Sequence, residues 1–234
     1  MKKPVTLYIL LLALSIGVLF LLNLFLGSVD IPFRSIWNIL LGMDEGESVI
    51  WQNIIWKSRV PQALTAMVAG AGLAVSGLQM QTVFRNPLAG PSVLGISSGA
   101  SLGVAFVVLL SGSIGGIALS RLGFMGEIAL TMAAIIGALS IMALIVYVSQ
   151  KVHGNVTLLI IGVMIGYVAN AVIGVLKFFS VEEDIRAYVI WGLGSFARVS
   201  GNQMIVFVCI MAVLLPLSFL LIKTLNLLLL GDSY

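Results

Sequence analysis

Charge-free apolar runs cover residues 4–27, 60–84, 86–120, 128–150, 154–176 and 199–222, and the charged residues fall in the segments between and beside them. Each run reaches the roughly 20 residues that a helix needs to cross a bilayer. They are apolar on every side, whereas barrel strands alternate apolar and polar positions. The pattern predicts an all-α integral membrane protein with six transmembrane helices, at about 5–26, 60–83, 91–112, 127–149, 156–176 and 203–223.

The segments between them have their own patterns. In the outer segment 28–58, Phe33, Ile36, Trp37, Leu40 and Leu41 recur at helical spacing, with Arg34, Ser35 and Asn38 opposite them. This predicts a short helix lying on the membrane surface, with Trp37, Trp51 and Trp56 at interfacial level. The outer segment 178–202 opens on Glu182, Glu183 and Asp184 and fits a short helix whose dipole favours those carboxylates at its start. Residues 223–234 begin a cytoplasmic segment.

Small residues mark the interior of the bundle. Gly95, Gly99 and Gly103 recur every four residues in the third helix, as do Gly162, Gly166, Asn170 and Gly174 in the fifth. Ala69 to Gly77 is similarly rich in glycine and alanine. Such faces let helix backbones approach closely, so the second, third and fifth helices are expected inside. Asn170 stands apart, because an amide in mid-helix must find a partner or face water; a pathway position and an interhelical hydrogen bond both satisfy it.

Between the second and third helices the chain reads Arg85-Asn86-Pro87-Leu88-Ala89-Gly90-Pro91. Irregular backbone at membrane depth is tolerated only where protein buries it or water reaches it, so this break points to a transport pathway.

Composition agrees with the pattern: 60% of residues are hydrophobic and 9% charged. The first run is too long for a cleavable signal and is expected to be retained. Lys2 and Lys3 give the expectation of a cytoplasmic N-terminus, since the first helix usually dominates orientation, although a raw count of basic residues over the loops favours the opposite arrangement. The lone Cys209 allows no intramolecular disulfide, and the lone His153 makes a metal site or proton relay a poor reading. Without a GxxxxGK[ST] loop the chain is not its own motor, so catalytic residues and cofactors are not expected. A coupled secondary carrier would bury a charge near a helix centre, and none lies there. The net charge of +3 is scattered over the loops, which sets aside nucleic acid as a partner.

The stretch from Arg59 to Gly103, together with Trp191-Gly192-Leu193-Gly194-Ser195-Phe196 and Leu225 to Asp232, resembles the permease subunits of type II ABC importers for ferric siderophores, haem or cobalamin. The resemblance runs from about Trp56 to Tyr234. It implies a ten-helix permease in the cytoplasmic membrane, paired with a second permease subunit that is expected to be identical. It also implies two cytoplasmic ATPase subunits and an external substrate-binding protein that selects the cargo. By the same resemblance Asn86, Leu88, Asn155 and Val156 form the cytoplasmic gate. Gly162, Gly166 and Asn170 lie on the wall of the translocation path, and Gly231 and Asp232 start the segment that presses on the ATPase. Arg59, with Lys57 beside it, matches the basic docking position for the binding protein; Gln62 stands where a second arginine is common. Family members are longer, so the chain is expected to be a C-terminally truncated or partial product. The alternative from another class is a six-helix scaffold that carries no solute.

Overall fold

The computed structural model describes residues 5–43, 46, 48–113, 124–152 and 154–230, leaving aside the side chains at 111–113 and 124. Every regular element among them is helical. Gly231, Asp232 and His153 lie outside the described residues.

Helices α1 (Val5–Phe25), α2 (Phe33–Leu40), α3 (Val49–Ile54), α4 (Val60–Phe84) and α5 (Ile96–Ser113) are followed by α6 (Phe124–Ser149) and α7 (Asn155–Phe179). The chain continues through α8 (Glu182–Leu193), α9 (Gly201–Ser218) and α10 (Ile222–Leu230). Five helical runs are long and apolar enough to cross a membrane: Val5–Phe25, Val49–Phe84, Met125–Ser149, Asn155–Phe179 and Gly201–Leu230. The remaining apolar run holds α5, described from Ile96 to Ser113. Its start falls at Ile96 instead of residue 91 because residues 91–95 are spent in turns that end at Gly95, whose φ is 73°.

The chain divides into two compact units, Met1–Gly72 with Ser195–Phe219, and Leu73–Gly194 with Leu220–Tyr234. In the first, α3 does not stop before the second membrane run but enters it through a π turn at Ile55–Arg59. Pro61 has no N–H and its ring crowds the carbonyl four residues back, and a wider turn relieves that conflict. The Val60 N–H bonds the Ile55 carbonyl, five residues earlier. Ile31, Ile36, Ile39 and Ile55 form the core of this unit, with Phe25 stacked on Phe33 at 4.6 Å. The buried stripe of α2 is therefore Ser35, Ile36 and Ile39, while Phe33 and Leu41 are exposed. Ser200 and Gln203 form a reciprocal capping box at the start of α9. Pro216 removes a helical donor near the end of α9, and a 3-10 turn at Phe219–Leu221 leads into α10.

In the second unit α5 packs on α6 and α7, and α8 lies against α5. A Cβ at Gly103 would run into the Ala133 carbonyl, and one at Gly137 into the Gly99 carbonyl, so α5 and α6 touch backbone to backbone. Val104, Ala105, Val108, Leu109, Ile173 and Tyr188 fill one core cluster; Phe84, Ala89, Leu94, Ile145 and Leu159 fill another. The small residues of α4 behave otherwise. A Cβ at Gly70 or Gly77 would meet nothing within 4 Å, whereas one at Gly72 would meet the Met211 side chain. Gly99 and Gly103 of α5 and Gly162 and Gly166 of α7 are therefore packed, whereas Gly174 of α7 and Gly70 and Gly77 of α4 face open space within this chain.

Candidate functional site: the proline-marked turn and the wall of α7

The end of α4 sets the geometry of the turn that follows. Arg85 N–H bonds the Thr82 carbonyl at 3.2 Å and Asn86 N–H bonds the Gln81 carbonyl at 3.1 Å, the paired bonds of a Schellman stop. Arg85 occupies the left-handed position of that stop with φ 47°, the only non-glycine residue at positive φ among those described. Glycine is the usual occupant, and a side chain there costs about 1 kcal/mol or more. Pro87 then prevents the helix from resuming.

Asn86 builds the next turn. Its Oδ1 accepts the Leu88 N–H at 2.9 Å, and its carbonyl accepts the Ala89 N–H at 3.0 Å. An asparagine side chain that mimics backbone in this way fixes the turn locally. Leu88 is left projecting, 86% exposed. The start of α7 meets the same place: Asn155 Nδ2 donates to the Val83 carbonyl at 3.1 Å, one of the acceptors left open by the end of α4. The structure thus brings together all four residues expected at the gate. Asn86, Leu88 and Val156 line one cavity of about 360 Å³ with Val93, Val163 and Met164, and Asn155 ties its two walls together.

A second cavity of about 210 Å³ continues along α7, lined by Ser92, Ser98, Tyr167 and Asn170 together with Val93 and Val163, which border both cavities. No lining residue of either cavity carries a charge. Amide, hydroxyl and apolar groups offer a bulky polar solute many weak contacts and no strong one, as conduction requires. Among the described residues, no group of three or more His, Cys, Asp or Glu could hold a metal ion.

The three residues expected on the path separate into two roles. Gly162 and Gly166 are buried against the segment before α5 and the first turn of α5: a Cβ at Gly162 would lie 2.9 Å from the Leu94 Cα, and one at Gly166 would lie 3.4 Å from Ser98 Oγ. Their partner Gly95 combines positive φ with a close approach, since a Cβ there would lie 2.8 Å from the Gly162 carbonyl. Asn170 faces outward into the second cavity. Ser92, Ser98 and Tyr167 stand out little along the chain; of the three, Ser98 follows Gly95 by three residues and meets α7 at Gly166.

The two basic residues expected to dock a binding protein also differ. Lys57 is exposed, but Arg59 is buried at 5% exposure because the π turn directs it inward. Its guanidinium donates to the carbonyls of Leu24 at 2.6 Å and Phe25 at 3.2 Å, and to that of Val29. A cation on the open carbonyls of a helix C-terminus is well placed for the helix dipole. Gly27 makes room for it, since a Cβ there would lie 2.7 Å from Arg59 Nη2.

At the other end of the second unit, Asp184 is buried in the first turn of α8 with Oδ2 unpartnered. Burial, and then the neighbouring Glu183, push its carboxyl above the usual range.

Several membrane-length apolar helices, with every regular element among the described residues helical, define a multi-pass membrane protein. The model of the FecCD transport family matches residues 12–234, and the chain belongs to that family. It is 35% identical over 209 residues to the hemin transport system permease protein of Yersinia pestis, covering 89% of this chain and 59% of the relative. The vitamin B12 import system permease protein of Serratia proteamaculans (strain 568) is likewise 35% identical over 209 residues, with 89% of this chain and 56% of the relative covered. A solved structure described as an inward-facing conformation of a metal-chelate type ABC transporter matches with a TM-score of 0.75 and 26% identity, over 99% of this chain and 66% of that one. The chain therefore spans somewhat more than half the length of these curated relatives.

Proposed function

We propose that this chain is membrane-spanning permease sequence of an ATP-driven importer that moves a ferric siderophore, haem or cobalamin inward across the cytoplasmic membrane. The observation that carries the reading is the pair of uncharged cavities that share Val93 and Val163, with Asn86, Leu88 and Val156 at one end and Asn170 at the other. The names of the relatives support the class of cargo. In this reading Asn86, Leu88, Asn155 and Val156 act as the cytoplasmic gate, and α7 is a wall of the path. Gly162 and Gly166 serve that wall by packing it against the segment before α5 and the first turn of α5.

Two ATPase subunits bind on the cytoplasmic side, where Gly231 and Asp232 begin the contact, and the N-terminus lies on that side. A second permease subunit, identical to the first, completes the conduit. A binding protein docks outside near Lys57, while Arg59 supports that surface from beneath. The test is uptake of labelled haem, cyanocobalamin and a ferric hydroxamate by vesicles carrying the importer assembled around this sequence. ATP-dependent accumulation of one cargo is expected, with Leu88→Trp slowing it while ATPase assembly persists. Failure to accumulate any of the three would count against the reading, and unchanged uptake in Leu88→Trp against the gate.

A further inference from the structure

Arg85 breaks a local rule, and its side chain shows what accompanies the break. The left-handed stop after α4 suits glycine, which would bring the same backbone bonds without steric conflict. Instead the position holds an arginine whose Nη2 donates to the Leu228 carbonyl at 2.9 Å, across 143 residues of sequence. Leu228 lies in the last turn of α10, where helix carbonyls lack intrahelical donors and the dipole favours a cation. The contact is exposed, so water competes with it and it adds little to global stability. What it supplies is a connection. The next residue, Asn86, accepts the Leu88 N–H, so a displacement at Arg85 passes directly into the turn that carries Leu88. Asn155 on the Val83 carbonyl holds the start of α7 to the same helix end.

We propose that Arg85 is a positioning residue that ties the 86–91 turn to the last turn of α10, so that the two move as one body. Its consequence for transport rests on the importer reading: Leu228 lies three residues before Gly231, so motion imposed at that end of the chain would reach Leu88 through Arg85. A locally strained residue kept in place by a distant partner is a common feature of switch regions.

Spin labels at Leu88→Cys and Leu229→Cys, in a Cys209→Ser background reconstituted in vesicles, report the separation of the two elements. Both positions are exposed, at 86% and 62%, and Leu229 leaves the Leu228 acceptor untouched. A narrow distance distribution is expected with Arg85, a broader one with a tail to longer distances in Arg85→Gly, and restored narrowing in Arg85→Lys. The unfolding midpoint of Arg85→Gly should not fall, because glycine relaxes the left-handed backbone. An unchanged distribution in Arg85→Gly overturns the proposal. So does broadening that lysine fails to reverse, or broadening accompanied by a lower midpoint, which would mark a general packing role. Absence of ATP-driven uptake would sink the importer reading and leave these distances as they are.

Discussion

The guanidinium of Arg59 donates to the Leu24 carbonyl at 2.6 Å, closing the end of α1 from 35 residues away. Arg59→Ala would leave the Leu24 and Phe25 carbonyls without this donor in a buried site and is expected to destabilise the chain by about 3 kcal/mol. Gly27→Ala should act in the same direction, because its methyl would press on the guanidinium and not on a free side-chain end. Thermal unfolding of the purified protein in detergent checks both, and an Arg59→Ala midpoint equal to the parent's would refute the capping role.

Gly103→Ala and Gly77→Ala should part company. The first places a methyl against the Ala133 carbonyl and forces α5 from α6, with an expected loss of about 2 kcal/mol. The second meets open space and gains about 1 kcal/mol of helix propensity in the isolated chain. Equal effects on the unfolding midpoint would mean that the α5 to α6 contact is not as close as described.

Asn155→Ala removes the donor that joins the start of α7 to the Val83 carbonyl, a loss of about 1 kcal/mol at an exposed site. Its clearer signature is local. In a Cys209→Ser background, labelling of Val156→Cys by a polar maleimide should be faster when Asn155 is alanine, with the unfolding midpoint lowered by only about 2–4 °C. Identical labelling rates would exclude the hydrogen bond as a restraint.

Asp184 links stability to pH. Its carboxyl is raised above 3.8 in the folded chain, chiefly by burial and then by Glu183, so the folded state holds the proton more tightly than the unfolded state. Stability is then highest below 3.8 and declines as pH rises through the window between 3.8 and the raised folded value. Asp184→Asn should flatten this decline, giving a higher unfolding midpoint than the parent at neutral pH and a similar one in acid. Parallel profiles for the two proteins would remove Asp184 as the cause.

Much of the site could be read along the chain, because its signals are local. A break between apolar runs with prolines at 87 and 91, and an asparagine before the first proline, is enough to place a turn. The Gly95, Gly99 and Gly103 stripe announces close packing. The stripe does not say which neighbour it meets, and the structure divides it: Gly95 faces α7, while Gly99 and Gly103 face α6 through Gly137. The resemblance gives Arg59 a docking position at the surface, but the π turn at Ile55–Arg59 carries it inward onto the open carbonyls of α1, an element that no residue beside Arg59 identifies.

By itself the order of residues determined the membrane class, the approximate spans and the position of the turn. All three follow from hydrophobic length and from the missing N–H of proline, which act over a few residues at a time. Tertiary structure alone decided that Arg59 closes α1, that Arg85 reaches α10, that Gly162 and Gly166 pack while Asn170 faces a cavity, and that Asn155 joins two helix ends. Each of those outcomes depends on an open carbonyl or a close backbone in another element. Where that element comes to lie is settled by the packing of whole helices, which no local pattern encodes.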